Sequence, residues 1–314
     1  QYTEPVTGLQ FGNFNLQQLS EQQFPVDYYD NNPPPVPFLR EDENHTLAIF
    51  SEYQKQLTPK LNTIYSLRYD YAENIDEGEL LPRLALIYEI NEHHFFKTFY
   101  SQAFRNPDTI ELNIINNRTL LGNENLTSET VTATELVWYV RYTNLYFNLA
   151  YFRNEIKNSI EQTSLQGTRI FVNHNKESND GVEVEYRHEL TENLSMRMTY
   201  SRMLNVLDSA FRVSDTTGSI TLNARHNRWQ GNIASVYLSS SEMLMNSNND
   251  HLTLPSYWHH NLAINYQHDQ ELHSQLFISN LQDRQYRTPT ISATLDEGLP
   301  ARGREIIYTI KLIF

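Results

Sequence analysis

The sequence predicts an all-β fold, an antiparallel transmembrane β-barrel, and three observations carry that expectation. Apolar and polar residues alternate at every second position through most of the 314 residues. The polar connections between alternating segments are by turns short and long. The last segment alternates up to a terminal aromatic residue, Phe314. In a strand, successive side chains point to opposite faces, so each segment offers one greasy and one wet surface, as a wall between lipid and an aqueous lumen requires.

The alternating segments justify the strands one by one. Leu61, Thr63, Tyr65, Leu67, Tyr69 and Tyr71 oppose Asn62, Ile64, Ser66, Arg68 and Asp70. Val182, Val184 and Tyr186 oppose Glu183, Glu185 and Arg187, so one face of that strand is charged throughout. Leu194, Met196, Met198 and Tyr200 oppose Ser195, Arg197, Thr199 and Ser201. Leu262, Ile264 and Tyr266 oppose Asn261, Ala263, Asn265 and Gln267. Ile306, Tyr308, Ile310, Leu312 and Phe314 close the chain. A soluble sandwich shares the alternation but has no need to stop on Phe. The closing segment resembles the C-terminal strand of bacterial outer-membrane barrels, whose final aromatic residue is read by the assembly machinery.

The connections sort by length. Short polar breaks fall at 58–60, 91–94, 142–144, 191–193, 227–231 and 269–271, and longer ones at 72–80, 105–128, 158–181, 204–218, 241–256 and 282–303. Tight periplasmic turns and long outer loops give a barrel this rhythm. About thirteen strands follow from His45 onward. A closed bacterial barrel has an even number of strands, so one upward strand must precede His45. Residues 1–43 are therefore expected to form an upstream strand at 8–16 and an outer loop stiffened by the prolines of 31–37, and residues 44–314 the barrel region. Two outcomes stay open: a self-contained barrel of about fourteen strands, or the C-terminal part of a larger one.

Composition narrows the function classes. There is no cysteine, hence no disulfide framework and no thiolate chemistry. Tyr (20) and Phe (15) are abundant, which suits aromatic girdles. No apolar run reaches the roughly 18 residues of a transmembrane helix, a test that says nothing against strands. The formal charge of −14 argues against nucleic acid as a partner, because that needs basic patches.

Several motifs then occur in a fixed order. They are Leu67-Arg68-Tyr69-Asp70, Pro82-Arg83-Leu84, Phe104-Arg105-Asn106-Pro107 followed by Glu111-Leu112, and Gly122-Asn123-Glu124-Asn125-Leu126 followed by Ser128-Glu129. Gly181-Val182-Glu183, Asn280-Leu281-Gln282-Asp283 with Tyr286, and Gly303-Arg304 complete the series. In this order they resemble TonB-dependent outer-membrane receptors, with Asn106, Glu124 and Ser128 departing from that family's Ala, Pro and Pro. The resemblance implies a barrel of roughly twenty-two strands, of which this would be the C-terminal portion. It also implies a plug and a TonB box upstream, neither of which lies within these 314 residues. Import of a scarce nutrient such as a ferric siderophore, driven by the TonB complex through that plug, is the implied activity. Outer-membrane lipid and lipopolysaccharide are the implied surroundings.

The motif residues read as structural. Asn280 and Asp283 suit hydrogen bonds to backbone where a strand meets a loop, Gly122 and Gly303 suit backbone angles denied to other residues, and Arg105 is placed to pair with Glu129. No catalytic, metal or cofactor residue is expected: there is no His-Glu-x-x-His, P-loop or Gly-x-Ser-x-Gly element. His259 and His260 adjoin in one strand and so face opposite ways, and His93 and His94 sit in a turn. Ligand contact is expected from aromatic and polar groups of the outer loops, namely Phe171, His174, Tyr257 and Trp258. The competing readings are a passive channel of about fourteen strands, a soluble all-β binding protein, and a barrel hydrolase whose site leaves no local signature.

Overall fold

The computed structural model describes residues 6–15, 23–24, 36–37, 39–40, 43–115, 117, 119–165, 167–205, 213–245, 250–290 and 297–313. Fourteen strands are hydrogen-bonded in sequence order. They are β1 (Val6–Asn15), β2 (Glu43–Thr58), β3 (Leu61–Ala72), β4 (Glu77–Glu89), β5 (His94–Arg105), β6 (Glu129–Arg141) and β7 (Leu145–Lys157). There follow β8 (Glu177–Thr191), β9 (Leu194–Asn205), β10 (Thr216–His226), β11 (Trp229–Leu238), β12 (Tyr257–Gln267), β13 (Leu272–Ser279) and β14 (Glu305–Leu312). The fold is the expected one, all-β and antiparallel. The upstream strand expected at 8–16 is β1, which pairs antiparallel with β2 from Val6↔Glu52 to Asn15↔Glu43. Phe314, Leu16 and residues 31–35 lie outside the described residues.

One connection differs from expectation. The polar stretch 72–80 is not a long loop: a single turn of 3-10 helix, Glu73–Ile75, and Asp76 at φ 48° return the chain directly into β4. Glu77 and Glu79 made this stretch read as a loop. They belong to the strand, opposite Ala72 and Asp70, where carboxylates can face water. The other long connections stay long, and three of them contain hairpins of their own: Ser159–Leu165 with Thr168–His174, Ser241–Met245 with Asp250–Leu254, and Arg287–Thr288 with Leu299–Pro300.

The chain divides into two compact units. The first holds Gln1–Tyr88, Lys97–Glu135 and Arg153–Ser178. On its wet face Arg68 donates to Asp70 at 2.5 and 2.6 Å and to Gln10 at 3.2 Å, with its guanidinium 5.9 Å from the Phe50 ring centre. The opposite face exposes Ile49, Leu67, Tyr69 and Leu80.

The second unit holds Glu89–Phe96, Leu136–Phe152 and Asn179–Phe314. Here the charged face of β8 is self-neutralising: Glu185 takes Arg187 at 2.7 Å and Arg197, from β9, at 2.9 Å. Amides continue the wet face, with Asn232 donating to Asn223 at 2.7 Å and Gln275 to Asn265 at 2.8 Å. The greasy face exposes Met198, Leu222, Ile233, Tyr308 and Ile310. In the turn 268–271 the Asp269 carboxylate accepts the N–H groups of Leu272 at 2.7 Å and Glu271 at 2.9 Å, which holds its pKa below the usual carboxylate range. The brace is complete above that usual range and is lost as pH falls through the depressed value.

Among the described residues, the clusters of buried apolar side chains sit in the connections. Buried Leu112, Leu126 and Phe171 form one cluster and Leu39 with Ile114 another, both among connections of the first unit. A sheet whose large aliphatics point outward is stable where lipid is the solvent for that face. Met198→Arg on the greasy face should therefore destabilise the chain in bilayers by about 2–4 kcal/mol, read from denaturant titration in vesicles. Ser201→Arg, opposite Glu183 on the wet face, should stay within about 0.5 kcal/mol of wild type.

Candidate functional site

The long-connection end of the first unit is held by one carboxylate. In the connection 106–128 a helix, α1 (Thr109–Asn113), starts at a reciprocal cap: Asp108 accepts the Glu111 N–H at 2.8 Å, and Glu111 accepts the Asp108 N–H at 2.8 Å. The same Glu111 oxygen accepts Arg105 at 2.8 Å, from the end of β5. Arg105 also reaches Glu129, the first residue of β6, at 3.5 Å, and Glu129 in turn accepts the Ile160 N–H at 2.9 Å. The Arg105–Glu129 pair read from the sequence is thus present, with Glu111 the nearer partner.

Two asparagines clamp the rest. Asn123 donates to the Phe171 carbonyl at 2.9 Å, while Asn173 donates to the Thr127 carbonyl at 3.0 Å and accepts the Thr127 N–H at 2.8 Å. Between these clamps the Phe171 ring packs on Leu112 and Leu126, with Ile75, Leu120 and Ile160 around it. Burying a ring of this size contributes about 1.5–3 kcal/mol. Leu39 bridges to Ile114, and Arg40 pairs with Glu124, so four connections are tied into one assembly. Asn106 and Ser128, two of the departures from the family motif, bond each other at 2.9 Å.

In the second unit the hub is Asn280, at φ 49° and fully buried. It accepts the Arg284 N–H and donates to the Arg284 carbonyl, each at 2.9 Å. Asp283, at φ 53°, accepts the Arg304 N–H at 2.8 Å. Both bond backbone as the sequence led us to expect. The two motif glycines do so for another reason than expected, because neither has a left-handed φ. A Cβ on Gly122 would lie 2.7 Å from backbone atoms of Leu112 and Ile114, and one on Gly303 would lie 3.0 Å from the Asp283 carboxylate. Close approach of backbone calls for glycine at 122, whereas the neighbour at 303 is a side-chain oxygen that can shift.

The four candidate contact residues fall into different settings. Phe171 is 8% exposed and belongs to the loop cluster. His174 is half exposed, 3.9 Å from Glu161. Tyr257 and Trp258 alternate: Tyr257 stacks on Tyr286 at 4.2 Å, on the side of a cavity of about 290 Å³ lined by Val213, Leu238, Leu254, Arg287 and Pro289. Trp258 lies on the other face with Tyr237 at 5.2 Å. Phe171 and His174 belong to the first unit, Tyr257 and Trp258 to the second. The histidines flagged by adjacency also have ordinary settings. His93 stacks on Tyr142 at 4.1 Å, His260 meets the Ser235 hydroxyl at 2.8 Å, and His259 lies 5.9 Å from Tyr286, across the strand from His260. Sequence reasoning missed α1, although Asp108 and Glu111 carry the spacing of a capping box.

Strands paired in sequence order, greasy on one face and wet on the other, with braced connections between them, define a transmembrane β-barrel. The chain belongs to the family of TonB dependent receptor-like beta-barrels, which it matches over residues 2–282. It is 28% identical over 211 residues to an uncharacterized TonB-dependent receptor of Haemophilus influenzae, covering 65% of this chain and 56% of that one. Its fold is similar to a mutant of the ferric enterobactin receptor PfeA from Pseudomonas aeruginosa, with a TM-score of 0.74, 18% identity, and 98% of this chain and 50% of that one covered. The siderophore receptor PirA from Acinetobacter baumannii gives a TM-score of 0.75, 16% identity, and coverage of 99% and 52%. The chain thus spans about half the length of these relatives. The family consists of outer-membrane receptors and transporters.

Gly122→Ala should loosen the loop assembly far more than Gly303→Ala, since backbone cannot yield as a carboxylate side chain can. Limited proteolysis within 106–128 and 158–176 should speed by about tenfold or more for the first, for a local loss of about 1.4 kcal/mol, and little for the second.

Proposed function

We propose that this chain forms part of the barrel of a receptor that imports a scarce nutrient, such as a ferric siderophore, across the bacterial outer membrane. The family match over residues 2–282 carries this reading. It is supported by the likeness to solved receptors named for enterobactin and siderophores. In this reading the strands are the wall against outer-membrane lipid and lipopolysaccharide, the outer loops bind the chelate, and a plug outside this sequence couples to the TonB complex. The chain's own residues supply binding and positioning rather than covalent chemistry. The passive-channel alternative is not favoured, because the family and the structural likeness are to receptors.

Within the loops, roles divide by exposure. Tyr257, stacked on Tyr286 beside the cavity and its Arg287, is the contact we assign to an aromatic or apolar part of the chelate. His174 is a second, exposed contact. Phe171 acts by positioning, and Trp258 by anchoring the wall in the membrane interface.

Growth of the source bacterium on single ferric chelates, with and without the gene, tests the import; unchanged growth on every chelate would sink it. For the chelate that passes, Tyr257→Ala should weaken binding about tenfold, a loss of about 1.4 kcal/mol. Trp258→Ala should leave it unchanged, measured by titration of the complete receptor in detergent.

A further inference from the structure

One guanidinium stands on the greasy face of the second unit. Followed by register through β9–β14 among the described residues, that face carries a single Arg, Lys, Asp or Glu, namely Arg202 near the long-connection end of β9. No bulge blurs its placement. Strands β9 and β10 pair without a shift from Leu194↔Ala224 to Arg202↔Thr216, so Arg202 shares the face of Leu194, Met196, Met198 and Tyr200. One step toward the middle of the wall lies a row of rings. Tyr200 stands opposite Gly218, Gly218 opposite Tyr237, and Tyr237 opposite Trp258, whose ring centre is 5.2 Å away. Aromatic rows of this kind mark the depth at which hydrocarbon gives way to headgroups. Arg202 is therefore at headgroup level.

Within the protein that guanidinium has no partner. It is exposed, and among the described residues no hydrogen bond or ion pair reaches its side chain. Arginines elsewhere in the unit are matched: Arg187 and Arg197 share Glu185, Arg287 takes Glu297, and Arg302 takes Glu305. The carboxylate at this end of β8, Asp180, is buried and occupied. It accepts the Asn205 amide and, at 3.3 Å, the Tyr151 hydroxyl. In a chain of net charge −14, carboxylates outnumber cations, yet none of those described is set against Arg202. Toward the middle of the wall, Met198 and Leu222 offer exposed apolar surface.

We propose that Arg202 binds the phosphate of a net-anionic lipid in the leaflet at the long-connection end, beside the hydroxyls of Thr216 and Tyr200. The proposal goes beyond nutrient import but rests on the chain being a membrane wall. A guanidinium presents paired N–H donors in one plane, which match two oxygens of one phosphate. The apolar surface below it suits the acyl chains of the same molecule, which a soluble anion lacks. With Asp180 occupied, the ammonium of a zwitterionic headgroup gains no carboxylate there, so net negative charge fits better.

The test is native mass spectrometry of the complete receptor in detergent, titrated with phosphatidylglycerol, phosphatidylcholine or digalactosyldiacylglycerol. Phosphatidylglycerol should bind about fivefold more tightly than the other two. Arg202→Gln should remove that preference and leave the other lipids unchanged, whereas Arg202→Lys should keep part of it. Arg225→Gln, the same change on the wet face of β10 opposite Gln230, should keep all of it. An undiminished preference in Arg202→Gln, or an equal fall for all three lipids, would overturn the proposal. Excess inorganic phosphate should not displace the lipid; displacement would make this a site for a soluble anion and overturn the lipid assignment. Brominated acyl chains read membrane placement separately. They should quench tryptophan fluorescence of the receptor in vesicles of each lipid, and no quenching in any would remove the wall reading itself.

Discussion

Every feature of this chain depends on one constraint: a backbone crossing hydrocarbon must find hydrogen-bond partners within the protein, since lipid offers none. Strands meet it only when each N–H and C=O faces a neighbour in register. That register fixes which side chains share a face. Tyr69 opposite Ile49 and Leu80, and Arg68 opposite Phe50 and Leu81, are consequences of the same pairing. A slip of one residue would send Arg68 to the lipid and Tyr69 to the water. Sorting of greasy from wet residues, which in soluble proteins makes a core, here makes two surfaces.

Among the described residues, the clusters of buried apolar side chains lie in the loops. The Phe171 cluster and the Leu39–Ile114 pair are the parts of the first unit that resemble the interior of a soluble protein. Their polar frame explains why the chain can order long connections at all. Glu111 satisfies a helix start and a guanidinium at once, and Asn123 and Asn173 give loop backbone the partners a sheet would otherwise supply. Residues that look suited to recognition by composition are often spent on this framework.

That division explains what could be read from the sequence. Strands were legible because a period of two survives whatever lies around it, and β1 was legible because strand parity demanded it. The stretch 72–80 misled because carboxylates mark both loops and lumen-facing strand positions, and only pairing tells Glu79 opposite Asp70 from a solvated turn. Phe171 could not be told from a contact residue, since burial in a loop comes from partners more than forty positions away, such as Asn123. Tyr257 and Trp258 were flagged together, but alternation places them on opposite sides of the wall. The glycine motifs were read correctly as structural, though at Gly122 contact rather than conformation is the reason.

The hairpin Ser159–Leu165 with Thr168–His174 shows what such bracing permits. Its base is pinned by Asn173, Glu129 and Phe171, whereas at the tip Leu165 is exposed and Gly167, at φ 89°, has no neighbour near its Cβ position. Changes at Leu165 therefore leave the fold's stability almost untouched, whereas a side chain at Gly167 would be strained by its positive φ. The side chain at 165 is thus open to variation that leaves the wall and its scaffold the same.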